Sequence, residues 1–332
     1  MDLIFLGTGA GTPSRQRNVS SLALRRDDGD VWLFDCGEGT QQQLLHSSIK
    51  PKAISRLFIT HLHGDHCYGV FGLLACLGIH GRDGKPLHIV APRGLQQMIE
   101  SVLHHSAAQP NYPIHFHHLA PSGEDLIADD WHISTRPLRH RVPCFGYVLR
   151  EPDGPGVMNV AALERLNIPH GPWRGQLARG GSAQLPDGRT ILSENVVGPP
   201  RPGRRITILG DTCDSSAIAE AAMHSDILVH EATFEDGEET RARTWGHSTT
   251  SMAGAFAQHI RARHLILSHV SCRYEQEDLE HFVNQAAAQC PACTVHLAAD
   301  FQSLHLRRAP APGIAPAWHW SDDRQEHIEE PA

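Results

Sequence analysis

Short apolar runs alternate with segments of helical periodicity along most of the chain, and this alternation predicts an α/β protein. Runs that are apolar throughout, or at every second position, predict strands over residues 3–6, 21–24, 31–34, 56–59, 87–90, 115–119, 132–136, 145–149, 206–209, 227–229 and 264–267. Apolar positions three and four residues apart predict helices over residues 39–49, 66–79, 161–166, 248–261 and 275–288. In such proteins the strand ends bring side chains from distant parts of the chain to one edge of a sheet.

Two stretches depart from this alternation. Residues 151–205 are rich in Gly, Pro and Arg and contain only short helix-like pieces, which predicts an insertion within a domain spanning residues 1–308. Residues 309–332 are rich in Pro and Ala, and we expect them to form a disordered tail. The sequence therefore predicts one large domain that carries an inserted arm.

Composition and charge narrow the class of protein. With 332 residues, of which 40% are hydrophobic, the chain can bury a sizeable core, and we expect neither a secretion leader nor a membrane span. Eight dispersed cysteines are expected to be reduced thiols, which is typical of a cytoplasmic protein. A formal net charge of −8 argues against nucleic-acid affinity over the whole surface, so any such contact has to be local.

The insertion provides a local exception to this acidic balance. Residues 156–205 contain seven arginines and no lysine, against three acidic residues. A local excess of arginine suits a phosphate-rich macromolecule, because the guanidinium group pairs well with phosphate. A mobile loop or a contact arm of a dimer is the alternative interpretation.

A run with the sequence HLHGDH at residues 61–66 places four potential metal ligands directly after a predicted strand. His61 and His63 are two residues apart, so their side chains point to the same side of an extended backbone. The glycine that follows allows a turn, after which Asp65 and His66 return toward the same space. Imidazole nitrogens and a carboxylate suit Zn²⁺ or a similar divalent ion. A polar helix cap with incidental histidines is the alternative.

Three further ligand candidates, His140, Asp211 and His269, each follow a predicted strand. Taken singly, each is more simply a hydrogen-bonded polar residue at a strand end. Together with the HLHGDH run they supply five histidines and two aspartates, which is enough for two metal ions that share one bridging carboxylate.

Other motifs carry a resemblance to a known family. They are FLGTG (5–9) with TP (12–13), DCGEGT (35–40), RHRVP (139–143), GDT (210–212), HEATF (230–234), GHST (246–249) and SHV (268–270). With HLHGDH they resemble the metallo-β-lactamase superfamily and, within it, the ribonuclease Z family, over about residues 1–306. HLHGDH alone is typical of the whole superfamily, whereas HEAT together with HST is more specific to ribonuclease Z.

The resemblance implies a four-layer αββα metallo-β-lactamase sandwich with an inserted protruding arm. It also implies a hydrolase that uses two Zn²⁺ per subunit, with Mn²⁺ or Co²⁺ as possible substitutes. The first zinc ligands would be His61, His63, His140 and Asp211, and the second set would be Asp65, His66, His269 and the shared Asp211. Asp65 would also accept a proton from the attacking water. His247, oriented by Glu231, would donate a proton to the leaving 3′-oxygen.

The implied activity is an endoribonuclease that removes 3′ extensions from precursor tRNA and leaves a 3′-hydroxyl on the tRNA. The arm would bind tRNA, and the resemblance alone implies a homodimer in which each arm serves the partner's active site. We expect no DNA and no membrane partner. Two alternatives stay open: an arylsulfatase or small phosphodiesterase on the same fold, and a catalytically silent module that binds RNA or metal.

Smaller features receive simpler interpretations. The glycine-rich segment 7–11 is interpreted as a tight turn at the lip of the site, because its spacing is not that of a dinucleotide-binding loop. Arg15, Arg17 and Asn18 either contact RNA or belong to a solvated loop. Asp35 is predicted to support the ligand loop from a strand end.

Overall fold

The computed structural model describes residues 1–79, 82, 84–274 and 279–324. Within these residues the strands are β1 Asp2–Gly7, β2 Gly9–Ala10, β3 Ser21–Arg25, β4 Val31–Phe34, β5 Ile54–Phe58, β6 Leu87–Ala91, β7 Ile114–His118, β8 Glu124–Ala128, β9 Trp131–Leu138, β10 Cys144–Arg150, β11 Ser182–Gln184, β12 Thr190–Leu192, β13 Arg205–Leu209, β14 Ile227–Glu231, β15 His264–Ser268, β16 Val270–Ser271, β17 Thr294–Leu297, β18 Gln302–Leu306 and β19 Trp318–Asp322. The α-helices in the same part of the chain are α1 Thr40–Leu45, α2 Gly64–Cys67, α3 Val70–Ile79, α4 Leu95–His105, α5 Val160–Arg165, α6 Pro172–Ala178, α7 Ala219–Ala222, α8 Glu239–Trp245, α9 Thr250–His259 and α10 Glu280–Gln289. No described helix is long and apolar enough to span a bilayer.

Two large sheets form the centre of the molecule. The first has eight strands in the order β19-β18-β1-β3-β4-β5-β6-β7, and the second has seven in the order β17-β15-β14-β13-β10-β9-β8. Strands β4 to β7 pair in parallel in the first sheet, as do β13, β14, β15 and β17 in the second. The ends of β5, β13 and β15 lead into the loops that carry all the ligand candidates except His140, which lies in the turn between the antiparallel strands β9 and β10.

Three hydrophobic clusters define the layers. One lies between the two sheets and includes Phe34 and Phe58, whose rings stack with centroids 4.8 Å apart. A second joins the outer face of the first sheet to α1, α3 and α4, and a third joins the outer face of the second sheet to α7, α9 and α10. The order helix, sheet, sheet, helix is the predicted αββα sandwich.

Strand β1 shows why its sequence is apolar at nearly every position. Leu3 and Phe5 belong to the cluster between the sheets, whereas Ile4 and Leu6 belong to the cluster beneath the helices. Successive side chains point to opposite faces, so a strand that is covered on both faces needs apolar residues throughout.

Some predicted boundaries were wrong. The predicted helix 66–79 is divided into α2 and α3, because the backbone between them pairs with the loop after β4: the Gly69 amide donates to the Cys36 carbonyl at 2.9 Å. The predicted helix 39–49 is only α1. The structure also contains α4, β8, β17 and β18, which the apolar pattern did not predict. Residues 275–278 of the predicted helix 275–288 lie outside the described residues.

The expected disordered tail contains a strand. β19 pairs antiparallel with β18 and extends the edge of the first sheet, with Trp318 and Trp320 packed against the cluster between the sheets. The expectation rested on Pro and Ala content and overlooked the alternation WHWSD, in which the two tryptophans share one face. Residues 325–332 lie outside the described residues.

The inserted arm is folded rather than irregular. Helices α5 and α6 and the hairpin of β11 and β12 surround a small hydrophobic cluster of their own. Its buried members are Ala162, Leu163, Ile168, Leu177, Ala183, Leu185, Ile191 and Val196. At the root of the arm, Gly154 and Arg201 exchange two backbone hydrogen bonds of 2.9 Å, so the two ends of the insertion lie side by side.

Candidate metal centre

The predicted ligands meet at one end of the sandwich. The HLHGDH run follows β5 and forms α2, His140 lies in the turn between β9 and β10, Asp211 follows β13, and His269 separates β15 from β16. Their ligand atoms form two groups in which all atoms lie within 4.8 Å of one another. Asp211 belongs to both groups.

The first group contains three imidazoles and one carboxylate. His63 Nδ1 lies 3.0 Å from His61 Nε2 and 3.1 Å from His140 Nε2. Asp211 Oδ2 lies 3.5 Å from His61 Nε2 and 3.9 Å from His140 Nε2. Four ligands about 2.0–2.1 Å from one zinc ion in a tetrahedron would lie about 3.3 Å apart, so this spacing fits a single ion.

The second group contains two imidazoles and two carboxylates. His66 Nε2 lies 3.3 Å from Asp211 Oδ1 and 3.5 Å from Asp65 Oδ2. His269 Nε2 lies 3.3 Å from Asp211 Oδ2 and 3.9 Å from Asp65 Oδ2. The Asp211 carboxylate therefore stands between the two groups, where one carboxylate can serve two ions.

The outer nitrogens of the ligands are held by hydrogen bonds that leave the inner nitrogens for a metal. His140 Nδ1 donates to the Gly246 carbonyl at 2.7 Å, and His66 Nδ1 donates to Asp35 Oδ2 at 2.7 Å. Such contacts fix the tautomer of a ligating histidine. His66 Nε2 is buried and faces the Asp211 and Asp65 carboxylates at 3.3 and 3.5 Å without a well-aligned hydrogen bond to either, as expected of a nitrogen that shares a cation with them. The residues present therefore fit a metal pair.

Two glycines allow the close approach of these loops. A Cβ atom at Gly210 would lie 2.6 Å from Cys144 Sγ and 2.6 Å from Thr60 Cβ, so no side chain fits before Asp211. Gly246 has φ +79°, and a Cβ atom there would lie 2.7 Å from His140 Nδ1. Both positions need a glycine for the ligand loops to pack.

Two site residues other than glycine have left-handed backbones. Asp35 has φ 58° and His269 has φ 57°. Positive φ is uncommon for residues other than glycine, and the His269 carbonyl lies 3.0 Å from Thr233 Oγ1, whose hydroxyl donates to Glu231 at 2.7 Å. Strain at a site residue is consistent with a function that depends on its exact position.

Burial and neighbouring charges shift the pKa values of the buried ligand candidates in opposite directions. Burial lowers the pKa of His61 well below its usual value, so this imidazole is neutral and able to bind a metal. Burial alone would raise the pKa of Asp211, but the charges of His269, His66 and His61 hold it well below its usual range. Burial would also lower the pKa of His66, but the Asp211 and Asp35 carboxylates outweigh burial and raise that pKa well above its usual value. Metal binding would therefore displace a proton from His66.

A third group, containing Glu231 and His247, adjoins Asp211. The buried Glu231 carboxylate accepts from His247 Nδ1 at 3.0 Å, from the Thr212 amide at 2.9 Å and from Thr233 Oγ1 at 2.7 Å. Burial alone would lower the pKa of His247, but the charge and hydrogen bond of Glu231 outweigh it and raise that pKa to about 9. His247 Nδ1 lies 3.7 Å from Asp211 Oδ2. The Glu231–His247 pair thus stands beside the carboxylate that the two ligand groups share.

Comparison with known proteins places this arrangement in a family. The curated ribonuclease Z of Limosilactobacillus fermentum is 42% identical over 291 residues, covering 87% of this chain and 92% of that protein. The chain belongs to the ribonuclease Z family. The solved structure of the short form of human tRNase Z is 30% identical, with a TM-score of 0.66 over 91% of this chain and 98% of that one.

Two further comparisons of this ribonuclease Z family member concern its overall fold and its N-terminal part. The metallo-β-lactamase fold protein YhfI from Bacillus subtilis is 15% identical with a TM-score of 0.61, covering 90% of this chain and 96% of that one, which shows the shared fold. A family model described as anti-Pycsar protein Apyc1 matches residues 1–120, which include the HLHGDH run.

The remaining predictions for this ribonuclease Z family member had mixed outcomes. Asp35 supports the ligand loop as predicted, since it accepts from both Thr60 and His66. Arg17 does not project into solvent, because its guanidinium donates to Thr8 Oγ1 and to the Ala298 carbonyl at 2.6 Å each. Arg15 lines a different cavity from the ligands.

Sequence reasoning missed the residues that hold the site from outside. Thr212 and Thr233 bind the Glu231 carboxylate, and Ser20 Oγ hydrogen-bonds His269 Nδ1 at 2.8 Å. The two threonines lie inside the GDT and HEATF motifs, which is a signal that could have drawn attention to them. Ser20 lies in no motif, so only the structure reveals it.

Proposed function

We propose that this chain is an endoribonuclease that removes 3′ extensions from precursor tRNA, using two Zn²⁺ ions held by the two ligand groups. The observation that carries the proposal is the position of the Glu231–His247 pair, whose imidazole lies 3.7 Å from the carboxylate shared by both ligand groups. The names of the relatives support the same substrate, since they are ribonuclease Z and tRNase Z proteins.

Each ligand group would hold one ion. Their members are His61, His63, His140 and Asp211, and Asp65, His66, His269 and Asp211. Ions bound there would lower the pKa of a water molecule and neutralise charge on the attacked phosphodiester. Two Zn²⁺ against two carboxylates give a formal charge of about +2, which suits an anionic diester. Asp65, which the Gly11 amide positions by donating to its Oδ2 at 2.8 Å, would accept the proton of the attacking water.

His247 would protonate the leaving 3′-oxygen. A ribose 3′-oxygen is a poor leaving group without a proton, so a general acid is needed on that side of the phosphate. Glu231 accepts from Nδ1 of the His247 ring, which leaves Nε2 as the proton donor to substrate. Its raised pKa keeps the ring protonated at neutral pH, and a cation bound beside Asp211 would oppose that shift and bring the pKa closer to neutrality.

The arm would bind the body of the tRNA, although most of its arginines have other partners. Arg204 is 1% exposed in its ion pair with Glu151, and Arg174, Arg189, Arg201 and Arg205 donate to backbone carbonyls. Among the arginines of the arm, all of which the structure describes, Arg165 and Arg179 are exposed and their guanidinium groups have no hydrogen-bond or ion-pair partner. We assign phosphate binding to these two. A homodimer in which each arm serves the partner's site completes the proposal.

The test compares substrates on the same metal-loaded protein. A 3′-extended precursor tRNA, a chromogenic phosphodiester and an aryl sulfate are each incubated with and without a chelator. We expect cleavage of the precursor at one position, leaving a 3′-hydroxyl, and loss of this activity with chelator. Hydrolysis of the small esters alone would overturn the proposal in favour of a small-molecule hydrolase, and no hydrolysis at all would favour a silent binding module.

The arm is tested by its removal. Because Gly154 and Arg201 are already paired, a short glycine linker can replace residues 156–200 without reshaping the core. The shortened protein should lose precursor cleavage but keep hydrolysis of the small phosphodiester. Loss of both activities would show that the arm is needed for folding of the site, which a thermal unfolding measurement on the same protein would verify.

A further inference from the structure

Trp245 occupies an unusual position at the mouth of the candidate metal centre. It is the last residue of α8, and it lines a cavity of about 420 Å³ together with His63, Asp65 and His247. Of the six tryptophans, all within the described residues, it is the only one classed as exposed, with 50% of its surface accessible. A large aromatic side chain left open beside reactive groups has a functional explanation more often than an exposed residue elsewhere.

One side of the indole already has a cationic neighbour. The guanidinium carbon of Arg141 lies 5.1 Å from the centroid of the Trp245 ring, which is cation–π distance. Arg141 is itself exposed and forms no ion pair with a described carboxylate. The indole and guanidinium together make an aromatic and cationic surface that faces the cavity.

The backbone holds this surface close to the proposed general acid. Gly246 follows Trp245, and its carbonyl accepts from His140 Nδ1 at 2.7 Å. The next amide, that of His247, donates to the Ala242 carbonyl at 2.8 Å and closes the end of the helix. Trp245 is therefore two residues from His247 on a backbone that is fixed by a metal-ligand candidate.

We propose that Trp245, with Arg141, stacks the base of the nucleotide whose 3′-oxygen is released on cleavage. This inference rests on the proposed function, because His247 marks the side of the scissile phosphate on which that nucleotide lies. Bases stack on aromatic rings without strong sequence preference, which suits a substrate class with different bases at this position. Arg273, which lines the same cavity and is exposed, provides a cation for the adjoining backbone phosphate.

The test is a cycle that alters the protein and the substrate in turn. W245A and wild type are assayed on a precursor tRNA and on the same precursor with an abasic site at the last retained nucleotide. Stacking of one base predicts that W245A lowers kcat/KM on the natural precursor about 5- to 150-fold, mainly through KM. The abasic site should lower wild-type kcat/KM similarly and add little to the effect of W245A. W245F should restore most of the activity, because it keeps an aromatic face.

A binding measurement provides a second readout without chemistry. Metal-loaded protein is titrated with a tRNA that ends at this nucleotide and so lacks the scissile bond, and with the abasic form. The two dissociation constants should differ for wild type but not for W245A. Ile127→Ala, at a position 72% exposed on β8, is the control for loss of an exposed apolar side chain.

Equal losses for W245A on the natural and abasic precursors, with equal binding of both RNAs by wild type, would overturn the stacking proposal. That result would show that Trp245 only shields the His140 loop, and metal content would then fall in parallel. Failure of wild type to cleave the natural precursor is a separate result, which would overturn the proposed function and this inference with it.

Discussion

The most informative single substitution is Asp35→Asn, because one carboxylate supports ligands of both metal groups. Asp35 Oδ2 accepts from His66 Nδ1 at 2.7 Å and from Thr60 Oγ1 at 2.8 Å, and Oδ1 accepts from the Thr60 amide at 2.8 Å. Thr60 Oγ1 in turn lies 3.0 Å from His61 Nδ1. Asp35 therefore orients His66 directly and His61 through a hydroxyl.

Asparagine preserves the shape of this residue but not its acceptors. If its oxygen faces His66, its amino group meets the Thr60 amide, and the reverse orientation places two donors together at His66. In either orientation one buried donor thus loses its partner, which lowers the free energy of unfolding by about 1–3 kcal/mol. Loss of a supporting carboxylate typically lowers metal affinity about 10- to 100-fold, which is about 1.4–2.8 kcal/mol. Asparagine also tolerates the left-handed backbone at Asp35, so strain adds little to this estimate.

The assay is competition for Zn²⁺ with a chromophoric chelator, followed by measurement of the unfolding free energy of the metal-free protein. We expect the D35N protein to bind zinc about 10- to 100-fold more weakly than wild type. Asp125→Asn, at a side chain 69% exposed and paired with Arg136, is the matched control and should leave affinity unchanged. Equal zinc affinity in D35N and wild type would refute the proposed support of His61 and His66.

Three further predictions address catalysis, stability and substrate binding. His247→Ala should lower kcat on precursor tRNA about 10²- to 10⁴-fold without changing metal content, and unchanged turnover would remove it from the mechanism. Burial would raise the pKa of Asp27, but Arg204 and the N-terminus outweigh burial and lower it to about 2. Ionised Asp27 should therefore add to the free energy of unfolding above about pH 4, and this contribution should be lost as the pH falls through 2. Urea unfolding at several pH values should show this decline, and Asp27→Asn should flatten it. Arg165→Ala with Arg179→Ala should reduce the slope of log affinity for tRNA against log salt by about one to two, and an unchanged slope would exclude phosphate contacts at the arm.

The ligand candidates could be predicted because they follow apolar strands. Asp211 and His269 each follow a buried parallel strand, and such strands bring their ends to one edge of a sheet. His140 follows β9, which is antiparallel, and the turn into β10 brings it to the same edge. The apolar pattern by itself predicted only an α/β protein, and the αββα order was implied by the resemblance to the family. The glycine after His63 was recognised, but the need for glycine at 210 and 246 was not, because it depends on loops that meet only in the folded protein.

The contacts of individual side chains with residues distant in the sequence could not be predicted. The arginine count of the arm indicated a basic surface, yet Arg204 is buried between Asp27 and Glu151, which are far apart in the sequence. A charge count cannot distinguish an arginine that binds the protein from one that faces solvent. The tail was misjudged from its composition, because Trp318 and Trp320 pack against the cluster between the sheets and β19 pairs with β18.

The most direct test of the account is anomalous diffraction at the zinc edge from crystals of the metal-loaded protein. We predict two peaks about 3.5–4 Å apart on either side of the Asp211 carboxylate, one among His61, His63 and His140 and the other beside His66 and His269. A single peak, or peaks at which Asp211 is not a shared ligand, would contradict the dinuclear centre on which the proposed nuclease depends.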